Sequence, residues 1–114
     1  MTKLPNSPGP AEQLQALYAA GFELKTFERF PRAIGVLRGS CIVLLQSGVK
    51  GLEMIGRPGW QIGEAIGVLT EKNGRSVFQA KSETVEATDA RRDELSKFEN
   101  DLTEILERSR YKVQ

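Results

Sequence analysis

The sequence predicts an α+β domain: an N-terminal helix, an antiparallel curled sheet of about five strands and a long C-terminal helix, arranged in two layers. Three observations carry this expectation. Gly39-Ser40 and Asn73-Gly74 each sit between short apolar runs, as hairpin turns do. From Thr88 onward an apolar stripe recurs at helical spacing behind a capping hydroxyl. Ahead of the sheet, Leu14, Leu17 and Tyr18 recur with the same period between Pro10 and Gly21.

The first helix starts at Pro10, which suits a first helical position, with Ser7 or Gly9 at the cap and Gly21 as its C-terminal stop. Glu12, Gln13 and Gln15 fall off its apolar stripe. Residues 1–10, with Pro5, Pro8 and Pro10 and no apolar core, read as a disordered lead-in to a single domain over residues 11–110. A helix of about ten residues is marginal alone in water, so its stripe must dock on something.

The sheet supplies that surface. Phe22 to Phe30 alternates imperfectly, and Pro31 ends or bends the segment. Ala33 to Leu37 and Cys41 to Gln46 flank Gly39-Ser40, which fits a type II′ turn. That register sets Leu37 opposite Ile42, Val36 opposite Val43 and Ile34 opposite Leu45, with apolar residues on both faces. A loop over Ser47 to Gly51 leads to a short strand, Leu52 to Ile55. Asn73-Gly74 is a type I′ signature, because both turn positions need φ > 0. Its register pairs Leu69 with Phe78 and Gly67 with Ala80 on one side. On the other it pairs Thr70 with Val77, Val68 with Gln79 and Ile66 with Lys81.

Thr88 is a good N-cap for the last helix, followed by Asp89, Asp93 and Glu94, whose charges favour a helix N-terminus. Arg108, Arg110 and Lys112 gather at its other end. Leu95, Phe98, Leu102, Ile105 and Leu106 make one narrow stripe, and about 20 residues span roughly 30 Å.

Composition narrows the chemistry. The 114 residues contain no histidine, which excludes His-based triads and imidazole shuttles within this chain, and one cysteine, which excludes an internal disulfide. No Walker A or Rossmann fingerprint is present, so no cofactor is expected. Sixteen basic and fifteen acidic residues balance overall but not locally. From Phe22 to Lys81 nine basic residues face five acidic, and from Ser82 to Gln114 nine acidic face six basic. That asymmetry reads either as two solvated surfaces or as complementary patches that steer a partner. The longest apolar run, Cys41 to Leu45, is far short of a membrane span. A cytoplasmic protein without membrane partner is the expectation.

Few residues stand out as site candidates. Cys41 heads an apolar strand and reads as a buried filler, with Arg38 opposite it as the one group that would lower its pKa. Pro58-Gly59 fits a type II turn that presents Arg57 and Trp60, a donor fork beside an aromatic plate. The alternative for Trp60 is a cover over one end of the core. Arg32 and Arg38, with Lys25 and Arg29, interleave with Phe27 and Phe30, yet the pattern of an RNA-recognition motif is missing. The leading expectation is a non-catalytic interaction or regulatory module. It self-associates as a homodimer through Ile66, Val68 and Val77, with a further protein partner allowed and nucleic acid disfavoured. The alternative is a small-ligand or nucleic-acid binding domain using Arg57, Trp60, Arg38 and Arg32.

Overall fold

The computed structural model describes residues 10–49 and 51–108. Residues 1–9 of the expected lead-in, its cap at Ser7 or Gly9, and the cations Arg110 and Lys112 lie outside the described residues. Within them the order is α1 (Pro10–Ala19), β1 (Glu23–Phe27), β2 (Phe30–Arg38), β3 (Cys41–Gly48), β4 (Gly51–Ile62), β5 (Ala65–Lys72), β6 (Arg75–Ala80), β7 (Glu83–Glu86) and α2 (Asp89–Arg108). The α+β class with one helix at each end is as expected. The strand number is not: each strand pairs antiparallel with the next, making seven rather than about five. No described helix is long and apolar enough to cross a membrane.

Two of the strand ladders follow turn chemistry. At Gly39-Ser40 only the glycine has positive φ (+62°), as a type II′ turn requires, and Ile34↔Leu45, Val36↔Val43 and Leu37↔Ile42 pair as read. At Asn73-Gly74 both residues are left-handed (φ +53° and +77°), and Leu69↔Phe78, Thr70↔Val77 and Val68↔Gln79 follow. The expected continuation to Gly67–Ala80 and Ile66–Lys81 does not form. β5 changes partner there, pairing with β4 over Ala65–Gly67 and with β6 over Val68–Lys72.

Two further differences arise where prolines meet the sheet. The expected type II turn at Pro58-Gly59 is absent; the whole of Gly56–Trp60 lies inside the twelve-residue strand β4. Between the pairs Ile42↔Gly59 and Leu44↔Ile55, β3 has one residue and β4 has three, so Gly56, Arg57 and Pro58 form a bulge. Gly56 takes the positive φ (+70°) that the bulge needs, whereas Gly59 does not have one. Gly59 instead lets β5 approach, since a Cβ there would collide with the Gly67 carbonyl oxygen. Pro31 likewise sits in a bulge: between Thr26↔Ile34 and Phe27↔Phe30, residues 31–33 have no counterpart on β1. Proline has no N–H to give a ladder, and a bulge is one of the few places in a sheet that tolerates it. Bulges bend a strand and raise its twist, so both prolines help curl the sheet.

The convex face carries the helices. Val36, Cys41, Val43, Leu45, Leu52, Trp60 and Phe78 meet Leu17, Leu95, Phe98, Leu102 and Leu106 in one core, with Phe22 edge-on to Phe98 and Trp60 stacked on Phe78 at 5.2 Å. Thr88 caps α2 as expected, its Oγ1 accepting from the Arg91 amide at 3.2 Å. On α1 the expected stripe is displaced: Tyr18 is exposed, while Gln13 is fully buried and its Oε1 accepts the Leu52 amide at 2.7 Å. This bond joins α1 to the start of β4. Gly51 leaves room for it, because a Cβ there would press on the Gln13 amide.

On the opposite face Leu37, Ile42 and Leu44 are also buried, outside that core. The curl encloses them. Phe27 folds over Gly35 so closely that a Cβ at Gly35 would collide with its ring, and Lys25 of β1 reaches Glu64, between β4 and β5, at 3.8 Å.

Candidate functional site

The concave face ends in a cleft of about 230 Å³. Leu44 contributes from β3, Phe27 and Phe30 from either side of the β1–β2 turn, Ile66 from β5 and Ala80 from the end of β6. Strands far apart in the sheet meet here because the curl brings them round. The lining is mainly apolar, and Phe30 is 44% exposed at its mouth. Charge is confined to Arg29, Glu64 and Lys81, with Glu28 beside an adjoining depression. Glu64 is engaged by Lys25. Arg29 lies 6.0 Å from the Phe30 ring centroid, and no described carboxylate is within ion-pair reach of Arg29 or Lys81. Lys81 has a left-handed backbone (φ +50°), uncommon for a side-chain-bearing residue, and its carbonyl accepts a hydrogen bond from the Gln79 side-chain Nε2 at 2.8 Å.

The residues singled out from the sequence are dispersed. Arg57 is exposed on the β4 bulge, whereas Trp60 is 8% exposed and stacked in the core, with the Arg91 guanidinium 5.8 Å from its ring. Arg38 ion-pairs with Asp101 at 2.9 Å and lies over the rings of Phe22 and Phe98, tying β2 to α2. Arg32 is exposed on the β2 bulge. Ile66 lines the cleft and is half-buried, as is Val77, and Val68 is 61% exposed.

Cys41 is fully buried, with Sγ 4.0 Å from Glu94 Oε2. Burial, then the Glu94 carboxylate, push its thiol up from 9.0 to about 11; Arg38 acts in the lowering direction but is outweighed. A thiol in that state is a poor nucleophile at neutral pH. Among the described residues no group of three or more cysteine, aspartate or glutamate side chains is placed to hold a metal ion.

No family model, curated protein or solved structure matches the chain. Phe27, Phe30 and Arg29 are legible in the sequence as interleaved basic and aromatic residues, but nothing local marks Leu44, Ala80 or Lys81 as their neighbours. The Phe27-Glu28-Arg29-Phe30 run, two aromatics astride a charged turn, was the one local signal for the cleft.

Proposed function

We propose that this chain is a non-catalytic interaction module whose concave cleft receives an apolar anchor side chain from a partner polypeptide. The supporting observation is the cleft itself: an apolar hollow of about 230 Å³ beside a half-exposed Phe30. Pockets that enclose a whole drug-sized ligand run to roughly 300–1,000 Å³, so this volume suits one inserted side chain. Buried apolar anchors supply much of the affinity of protein interfaces.

The test uses an uncharged probe, acetyl-Gln-Phe-Gln-amide, followed by amide shifts of the labelled protein. Shifts should cluster at Phe27, Phe30, Ile66 and Ala80, and Phe30→Ala should weaken binding by about fivefold or more. Shifts elsewhere, or none at millimolar probe, overturn the proposal.

A second reading, a homodimer through Ile66, Val68 and Val77, draws support from the exposure of Val68 (61%) on β5. The burial of Leu37, Ile42 and Leu44 within one chain removes the larger part of the apolar face that would have needed a second copy.

A further inference from the structure

We infer that the partner segment taken by this cleft is acidic: an apolar anchor with aspartate or glutamate next to it in the chain. This rests on the cleft reading and adds its electrostatics.

The cleft's own lining holds two cations, Arg29 and Lys81, and one carboxylate, Glu64, which Lys25 reaches from β1. Two further carboxylates lie close by, Glu28 on the adjoining depression and Glu83 opposite Ala80 on β7. Lys25 and Glu64 satisfy each other. Arg29 and Lys81 come from separate turns, β1–β2 and β6–β7, and the curl sets both against the same apolar hollow. Neither has a carboxylate partner among the described residues. An anchor seated between Phe27, Phe30 and Ile66 would therefore bring its flanking residues toward two guanidinium or ammonium groups. Flanking carboxylates would gain charge-assisted hydrogen bonds there. Flanking lysines would be repelled.

The wider field points the same way. From Glu23 to Glu86, the span of the seven-stranded sheet, the sequence has nine basic residues against seven acidic, a small positive excess. Such an excess raises the encounter rate with acidic partners. A second copy of this chain is the weaker occupant. Its acid-rich part is α2, whose apolar residues Leu95, Phe98, Leu102 and Leu106 are already buried in its own core.

Three peptides that differ only in flanking charge test this: acetyl-Glu-Phe-Glu-amide, acetyl-Gln-Phe-Gln-amide and acetyl-Lys-Phe-Lys-amide. The acidic peptide should bind about fivefold more tightly than the neutral one, the sum of two exposed ion pairs. That advantage should shrink between 50 and 500 mM salt and should be lost in Arg29→Gln combined with Lys81→Gln. Arg29→Gln alone, and the salt series on the unaltered protein, keep the test decisive if the double variant folds poorly. Equal affinity for the acidic and neutral peptides overturns the inference while leaving the apolar cleft standing. Preference for the lysine peptide overturns it as well. Failure of all three to bind removes the cleft reading with it. Cleft amide shifts that depend on protein concentration alone would assign the cleft to a second copy, and so overturn the acidic partner.

Discussion

At the scale of single residues, burial decides what a polar or reactive group does here. Cys41 has the chemistry of a nucleophile, yet its thiol is fully buried and pushed up to about 11 by burial and by Glu94. Thiol reagents at pH 7–8 should label it slowly in the native protein and quickly after denaturation; fast native labelling would contradict its burial. The shift also fixes a pH dependence. In the unfolded chain the thiol loses its proton near 9.0, and in the folded chain near 11. The folded state therefore binds more protons across that window, and stability falls as pH rises through it. The contribution is complete below pH 9 and gone above about 11, so denaturant titrations of Cys41→Ala should lack that part of the alkaline decline. Gln13 shows the converse case, a polar side chain buried for its hydrogen bond. Gln13→Leu leaves the Leu52 amide without its acceptor and should cost about 1–3 kcal/mol in urea unfolding. Gln15→Leu, at an exposed position of the same helix, should stay within about 0.5 kcal/mol. Equal effects from the two would count against the clamp.

At the scale of elements, the turns that specify their own backbone were readable and the bulges were not. Asn73 and Gly74 both hold φ > 0, so replacing both with alanine should destabilise by about 2 kcal/mol, checked by thermal melting. An unchanged melt would deny the type I′ turn its role. The registers around Gly39-Ser40 and Asn73-Gly74 could be written from the sequence because turn type and loop length fix which residues face each other. Pro58-Gly59 misled for a physical reason. The same dipeptide suits a type II turn and a strand bulge, and only the approach of β5 over Gly59 separates them. β7, with the sequence Glu83-Thr84-Val85-Glu86, offers a single apolar residue, so local pattern gave no sign that it would pair with β6. Gln13 falls off the apolar stripe of α1 because helical period sorts residues by polarity, and its acceptor role depends on β4, nearly forty residues away. The cleft was the least legible feature. Leu44, Ile66 and Ala80 become neighbours of Phe27 and Phe30 only after two bulges have curled the sheet.

At the scale of the whole molecule, the question is whether one copy is enough. A two-layer sheet with helices on one side leaves its other side in water, and each large apolar side chain stranded there forfeits up to roughly 1.5–3 kcal/mol. Curling answers this within one chain: Leu37, Ile42 and Leu44 are 5%, 1% and 6% exposed. What stays outside is the distal part of β5, where Val68 and Leu69 are exposed on successive, opposite-facing positions. Only Val68 shares a face with Val77, which is half-buried. A stable interface buries about 800 Å² per partner, far more than two valines present, so any homodimer built on this face alone would be weak and concentration-dependent. Val68→Lys separates the possibilities. Because Val68 is exposed within the chain, the variant should keep the wild-type melting temperature, as surface substitutions do. Sedimentation at rising concentration then reads the association. A wild-type mass that climbs from 12.6 kDa toward twice that value, and a variant that stays at 12.6 kDa, would establish the β5–β6 face as the contact. A single-chain mass for both proteins at all concentrations would remove the dimer, and unfolding of the variant would show that Val68 belongs to the core after all.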